Sequence, residues 1–152
     1  MKIGIIVHSK TGHTLSVAQK LHEDLISKGH EVELIKLEIG KNESGKEEFV
    51  SQPEISGYEG IIFGSHVEAF SLPVIMKNYL NGITGLSGKN VGIILTQQFK
   101  YKWMGGNHTA NQMEKILRDK NARVMGAFII NWSSSKKQEQ IDDCLEKMIL
   151  GF

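Results

Sequence analysis

The stretch Ile3-Gly4-Ile5-Ile6-Val7-His8-Ser9-Lys10-Thr11-Gly12-His13-Thr14 decides how the rest of the chain is read. Ile3 to Val7 is short, apolar and β-branched, the pattern of a strand buried on both faces. A polar bend with one glycine follows, and then Leu15, Ala18, Leu21, Leu25 and Ile26 recur at helical spacing. Gly29 sits where a helix C-cap belongs. A two-face-buried strand that turns straight into a helix is the opening of a βαβ unit.

The same alternation continues outward. Val32, Leu34 and Ile35 predict a second strand, and Gly40 to Lys46 a surface loop. Phe49 and Val50 predict a short, weak helix that Pro53 ends. Ile61-Ile62-Phe63, Val91 to Leu95 and Val124 to Ile130 predict three further strands. Helices are expected after Pro73, around Ala110 to Leu117, and around Ile141 to Ile149. Five strands alternating with five helices require a parallel sheet with helices on both faces. The doubly wound order 2-1-3-4-5 suits that number, in a single domain spanning residues 1–152. Such sheets bind ligands beyond the C-terminal ends of the strands, at the point where the strand order reverses. The loops to inspect are therefore 8–14, 65–71 and 96–107.

Composition narrows the function. Lys plus Arg is 18 against 17 Asp plus Glu, so no excess positive charge is available to displace counterions from nucleic acid. No run approaches the roughly 20 apolar residues that span a bilayer, so no membrane insertion is expected. The apolar run at the N-terminus is too short for a secretory signal. The single cysteine, Cys144, suits a reducing, cytoplasmic setting and cannot build a thiolate metal site. No His pair stands at ligand spacing, and no metal is expected. A Walker-type loop and a Gly-x-Gly-x-x-Gly fingerprint are both missing after the first strand. Clustered acids of a phosphoacceptor domain are missing too, since His8, Ser9 and His66 occupy those places.

The first loop has the chemistry of a phosphate cradle. Ser9, Lys10, Thr11, Gly12, His13 and Thr14 offer three hydroxyls, several backbone N–H groups and a glycine for the tight turn. The helix N-terminus behind them adds about half a positive charge. Ser-x-Thr-Gly-x-Thr after the first strand resembles the phosphate loop of the flavodoxins. Tyr58-Glu59-Gly60-Ile61-Ile62-Phe63-Gly64-Ser65 is similar to their third strand and the turn behind it, and the element order is similar along nearly the whole chain. Gly105-Gly106 resembles the flavodoxin-like quinone reductases.

The resemblance implies FMN as cofactor. It places the phosphate on 9–14. One side of the flavin falls to Ser65, His66, Val67, Glu68, Ala69 and Phe70. The other falls to Thr96, Gln97, Gln98, Phe99, Tyr101, Trp103, Gly105 and Gly106. It implies electron transfer or reduction of small acceptors such as quinones, with a redox partner protein or a small molecule as acceptor. NADH or NADPH would then be the reductant of an oxidoreductase, stacking on an open flavin face. No residue need act as a covalent catalyst, because the cofactor carries the chemistry. Phe70, Phe99, Tyr101 and Trp103 independently suit a flat ring that stacks.

Three features depart from the resemblance. Electron-carrying flavodoxins are acidic, whereas this chain has a net charge of +1. The turn Ser65-His66-Val67-Glu68-Ala69 lacks a glycine. Lys100 and Lys102 replace acids in the loop after the fourth strand. Together they predict two-electron rather than one-electron chemistry. The competing reading is a non-enzymatic module of the same fold that holds another anion or no flavin.

Overall fold

The computed structural model describes all residues from Met1 to Phe152. Strands β1 (Lys2–His8), β2 (Glu31–Lys36), β5 (Gly60–His66), β6 (Asn90–Gln97) and β7 (Arg123–Asn131) form one parallel sheet. Its order is β2-β1-β5-β6-β7, which is 2-1-3-4-5 when only the sheet's own strands are counted. β1, β5 and β6 are almost wholly buried, which is why they read as unbroken apolar runs.

Alternating side chains feed two separate cores. Ile3, Ile5, Val7, Ile62 and Ile94 point to one face. There they meet Val17, Leu21 and Leu25 of α1 (His13–Ser27) and Ile141, Cys144 and Met148 of α4 (Lys137–Leu150). Ile6, Ile61, Phe63, Ile93 and Leu95 point to the other. Met76 and Leu80 of α2 (Val74–Gly82) and Met113 and Leu117 of α3 (Gly106–Asp119) cover them. Full burial of each such side chain contributes about 1.5–3 kcal/mol, so both faces need their helices. No helix is long and apolar enough to cross a membrane.

Two expectations about the segment after β2 are corrected. The weak helix at Phe49–Val50 is instead strand β4 (Glu47–Phe49), paired antiparallel with β3 (Ile39–Lys41). The predicted loop 40–46 is the tip of that hairpin, where Asn42 Oδ1 accepts the N–H groups of Ser44 and Lys46, each at 3.0 Å. Phe49 is the residue that decides the matter. It is buried against Tyr79 and His8, an anchor that an exposed helical turn would not provide. The sheet is therefore flanked by four helices rather than five.

Candidate functional site

The strand order reverses between β1 and β5, and their C-terminal ends lie side by side, with His8 in register with Ser65. His66 is in register with Thr96 of β6, and Gln97 with Asn131 of β7. The three inspected loops therefore leave from one edge.

The bend at 9–14 is organised from within. Ser9 Oγ accepts the N–H of Gly12 at 3.1 Å and that of Leu15 at 3.3 Å. Gly12 adopts φ +89°, a left-handed conformation that only glycine takes freely, and it launches α1. The N–H groups of Lys10, Thr11, His13 and Thr14 have no acceptor within the protein. They stand at the positive end of α1, whose first turn carries no acidic residue. The hydroxyls divide differently. Ser9 is spent on the bend itself. Thr14 is buried and shares a 2.7 Å hydrogen bond with Thr96 Oγ1, tying α1 to the end of β6. Thr11 alone keeps an exposed hydroxyl. The donors left free at this bend are thus mainly backbone N–H groups.

The 65–71 loop is a tight reversal. Glu68 and Ser71 exchange N–H···O bonds of 2.9 and 3.0 Å, and between them Ala69 and Phe70 have φ +48° and +64°. Two successive positive φ values are the geometry of a mirror-image turn that normally asks for Asn or Gly. The surroundings enforce it. Gln112 of α3 accepts from the Leu72 N–H at 2.9 Å and from Ser71 Oγ at 3.0 Å. Gly105, at φ +108°, lies directly against the turn, so that a Cβ there would fall 2.7 Å from Phe70 Cα. The loop after β5 and the start of α3 are therefore one mechanical unit.

Aromatic rings line its outer side. Phe70 and Phe99 stack with centroids 5.0 Å apart and planes 7° apart, and Tyr101 stacks on Trp103 at 6.0 Å. All four are exposed. A cleft of about 280 Å³ opens at the same edge, lined by Lys10, Thr11, His13, His66–Ala69 and Thr96–Gln98, and none of the four rings is in its wall. This brings residues of all three predicted loops to one place. Ser65 lies outside it: its side chain is buried and its hydroxyl bonds the His66 carbonyl.

A pair of histidines underlies the cleft. His8 is only 3% exposed, between Phe49 at 5.1 Å and His66 at 4.6 Å. Burial, and then the neighbouring His66, push its pKa down to about 4. Burial lowers His66 as well, although Glu68, 3.9 Å from Nε2, opposes the shift. Both rings are neutral at neutral pH. The local cation is Lys10, held 3.2 Å from Glu68 on the exposed rim.

Reading the sequence missed the β7–α4 connection. Trp132 stacks on His13 at 4.0 Å, and Lys137 lies 4.6 Å over the Trp132 ring. Ser133 Oγ donates to the Gln98 carbonyl and accepts from Gln98 Nε2 at 2.9 Å. The signal was available in Asn131-Trp132-Ser133-Ser134-Ser135-Lys136-Lys137, a polar and basic run at the end of the last strand.

The architecture matches solved flavodoxins along its whole length. A flavodoxin from the domain Archaea superposes with TM-score 0.73 at 16% identity, covering 98% of this chain and 94% of that one. The chain carries the flavodoxin-like fold. Oxidised Flavodoxin 2 from Bacillus cereus gives TM-score 0.71 at 22% identity over the whole of both chains. The Fusobacterium nucleatum flavodoxin bound to flavin mononucleotide gives 0.66 at 15%, covering 99% and 98%. No family model and no curated protein matches the sequence. In this fold the edge at the C-terminal ends of β1, β5 and β6 is where a ligand belongs.

Proposed function

We propose that this protein binds FMN across that edge and serves as an electron-transfer flavoprotein. The observation that carries the reading is the set of unpaired N–H groups at residues 10, 11, 13 and 14, in a cleft whose flanking loops also carry the exposed, co-planar rings of Phe70 and Phe99. The first suits a phosphate monoester and the second a flat heteroaromatic ring. The ligand of the Fusobacterium nucleatum neighbour supports the pairing. When bound, the flavin supplies the redox chemistry.

The chain's own part is binding and tuning. The bend holds the anion with backbone dipoles, leaving Lys10 to Glu68. Phe70 and Phe99 present ring faces that now lie on each other, and these are the faces a third ring would take by parting them. The strained Ala69–Phe70 turn, pinned by Gly105 and Gln112, resists rearrangement beside the cofactor. That stiffness favours electron exchange in pairs and with small acceptors, quinones among them.

Fluorescence titration tests the reading. FMN is expected to be quenched on binding and riboflavin to bind more weakly, because only FMN carries the phosphate. Replacing Phe99 with Ala should weaken both alike, since the ring is common to them. Absence of quenching by the purified protein overturns the FMN assignment and favours a module for another anion. NADH or NADPH oxidation in the presence of a quinone separates a reductase from a shuttle between proteins.

A further inference from the structure

A second cleft, of about 620 Å³, opens between the β6–α3 and β7–α4 loops and shares no lining residue with the first. Lys100, Lys102 and Lys136 all line it, none of them is engaged in an ion pair, and no carboxylate is present among its lining residues. Glu139, in the first turn of α4, is not part of the wall. Three unneutralised cations in one concavity raise the local concentration of anions. Tyr101 lines the same cleft and is backed by Trp103, whose plane lies within 7° of its own. The walls are braced across the gap by Ser133 and Gln98, and Ser134 Oγ accepts the Lys136 N–H at 3.1 Å, ordering the lip.

We infer that this cleft is a second binding site, for the phosphates of a nucleotide, with the lysines on the phosphates and Tyr101 under the base. Paired phosphates match spaced lysine charges, and an aromatic face beside them suits a nucleobase. Such a ligand would lie next to the cofactor edge, separated from it by the braced Gln98–Ser133 wall. The inference goes beyond the FMN reading and does not require it.

The test is an NMR titration of the full chain with three probes: adenosine 2′,5′-bisphosphate, inorganic pyrophosphate and adenosine. The bisphosphate should shift the amides of 99–103 and 133–137 saturably. Pyrophosphate should shift them more weakly, and adenosine hardly at all. Raising salt should weaken the bisphosphate, as charge screening requires. Lys100→Gln combined with Lys136→Gln should cost about tenfold in affinity, equivalent to about 1.4 kcal/mol. Tyr101→Ala should weaken the bisphosphate and leave pyrophosphate unchanged. Equal affinity for bisphosphate and pyrophosphate overturns the nucleotide assignment. No saturable shift at 133–137, or shifts confined to 10–14, overturns the site. The FMN reading is followed separately through the amides of 10–14, so failure of one is not failure of the other.

Discussion

Acid should destabilise this fold through His8. The side chain is buried between Phe49 and His66, and its pKa falls from the ordinary 6.5 to about 4. Above pH 6.5 the ring is neutral in both folded and unfolded chains and adds no slope. Between 6.5 and about 4 the unfolded chain takes up a proton that the folded one refuses, so stability falls as pH falls. Below about 4 both forms are charged and the loss levels off. At about 1.4 kcal/mol per pH unit this window bounds the loss at about 3 kcal/mol. Water reaching the ring through local opening trims it towards 2. His66, also lowered by burial, adds to the fall with the same sign. Glu68 and Lys10, the charges nearest the pair, act in opposite directions on His8. Urea unfolding at pH 7, 6, 5 and 4.5, run on the protein and on His8→Leu, isolates the contribution as the difference between the two slopes. The variant should keep less of the pH dependence by about 2 kcal/mol over that range. Parallel slopes, or an NMR titration of His8 with its midpoint above 6, would refute the burial argument.

Gly105→Ala should lower stability by about 2–3 kcal/mol, because left-handed backbone strain and contact with the Phe70 backbone add together; urea midpoints check it, and a loss under about 0.5 kcal/mol contradicts the close approach. Thr14→Val leaves the buried Thr96 hydroxyl without its partner and should cost about 1–3 kcal/mol in the same assay. Ala69→Gly removes a left-handed alanine, so stability should rise by up to about 1 kcal/mol or stay level, and a clear loss would mean the turn is not left-handed. The Cys144 thiol is buried and pushed up to about 12, so it should resist a disulfide reagent until the protein unfolds.

The sheet was legible because burial on both faces writes itself into sequence as unbroken runs such as Ile3–Val7 and Val91–Leu95. The hairpin was not, because Glu47-Glu48-Phe49 is too short to carry a period and exposes two of its three residues. The Ala69–Phe70 turn escaped for a different reason. Its sequence lacks the glycine that normally announces positive φ, and the support comes from Gln112 and Gly105, far along the chain. Gly105 could be read as a loop glycine, but its reason, room for the Phe70 backbone, exists only in three dimensions.

The site's charge shows the same division between local and assembled information. Lys10, His8, His13 and His66 crowd this edge in the sequence, yet the hydroxyls, backbone N–H groups and helix N-terminus of 9–14 already suit a phosphate without a salt bridge. Folding buries His8 and lowers His66, and it sets Glu68 against Lys10, so His8, His66 and Lys10 contribute little net positive charge at neutral pH. What remains for an anion is the unpaired backbone N–H groups of Lys10, Thr11, His13 and Thr14 and the positive end of α1. Neither titrates. An anion held that way should bind with an affinity that changes little across pH 7 to 9, apart from the anion's own ionisation. A grip by protonated histidines would instead decay as pH rises through their pKa values. Phosphate-dependent affinity, measured as the ratio of FMN to riboflavin binding at pH 7 and pH 9, therefore distinguishes a backbone cradle from a side-chain one. A ratio that collapses at the higher pH would return the histidines to the phosphate and remove the dipole argument.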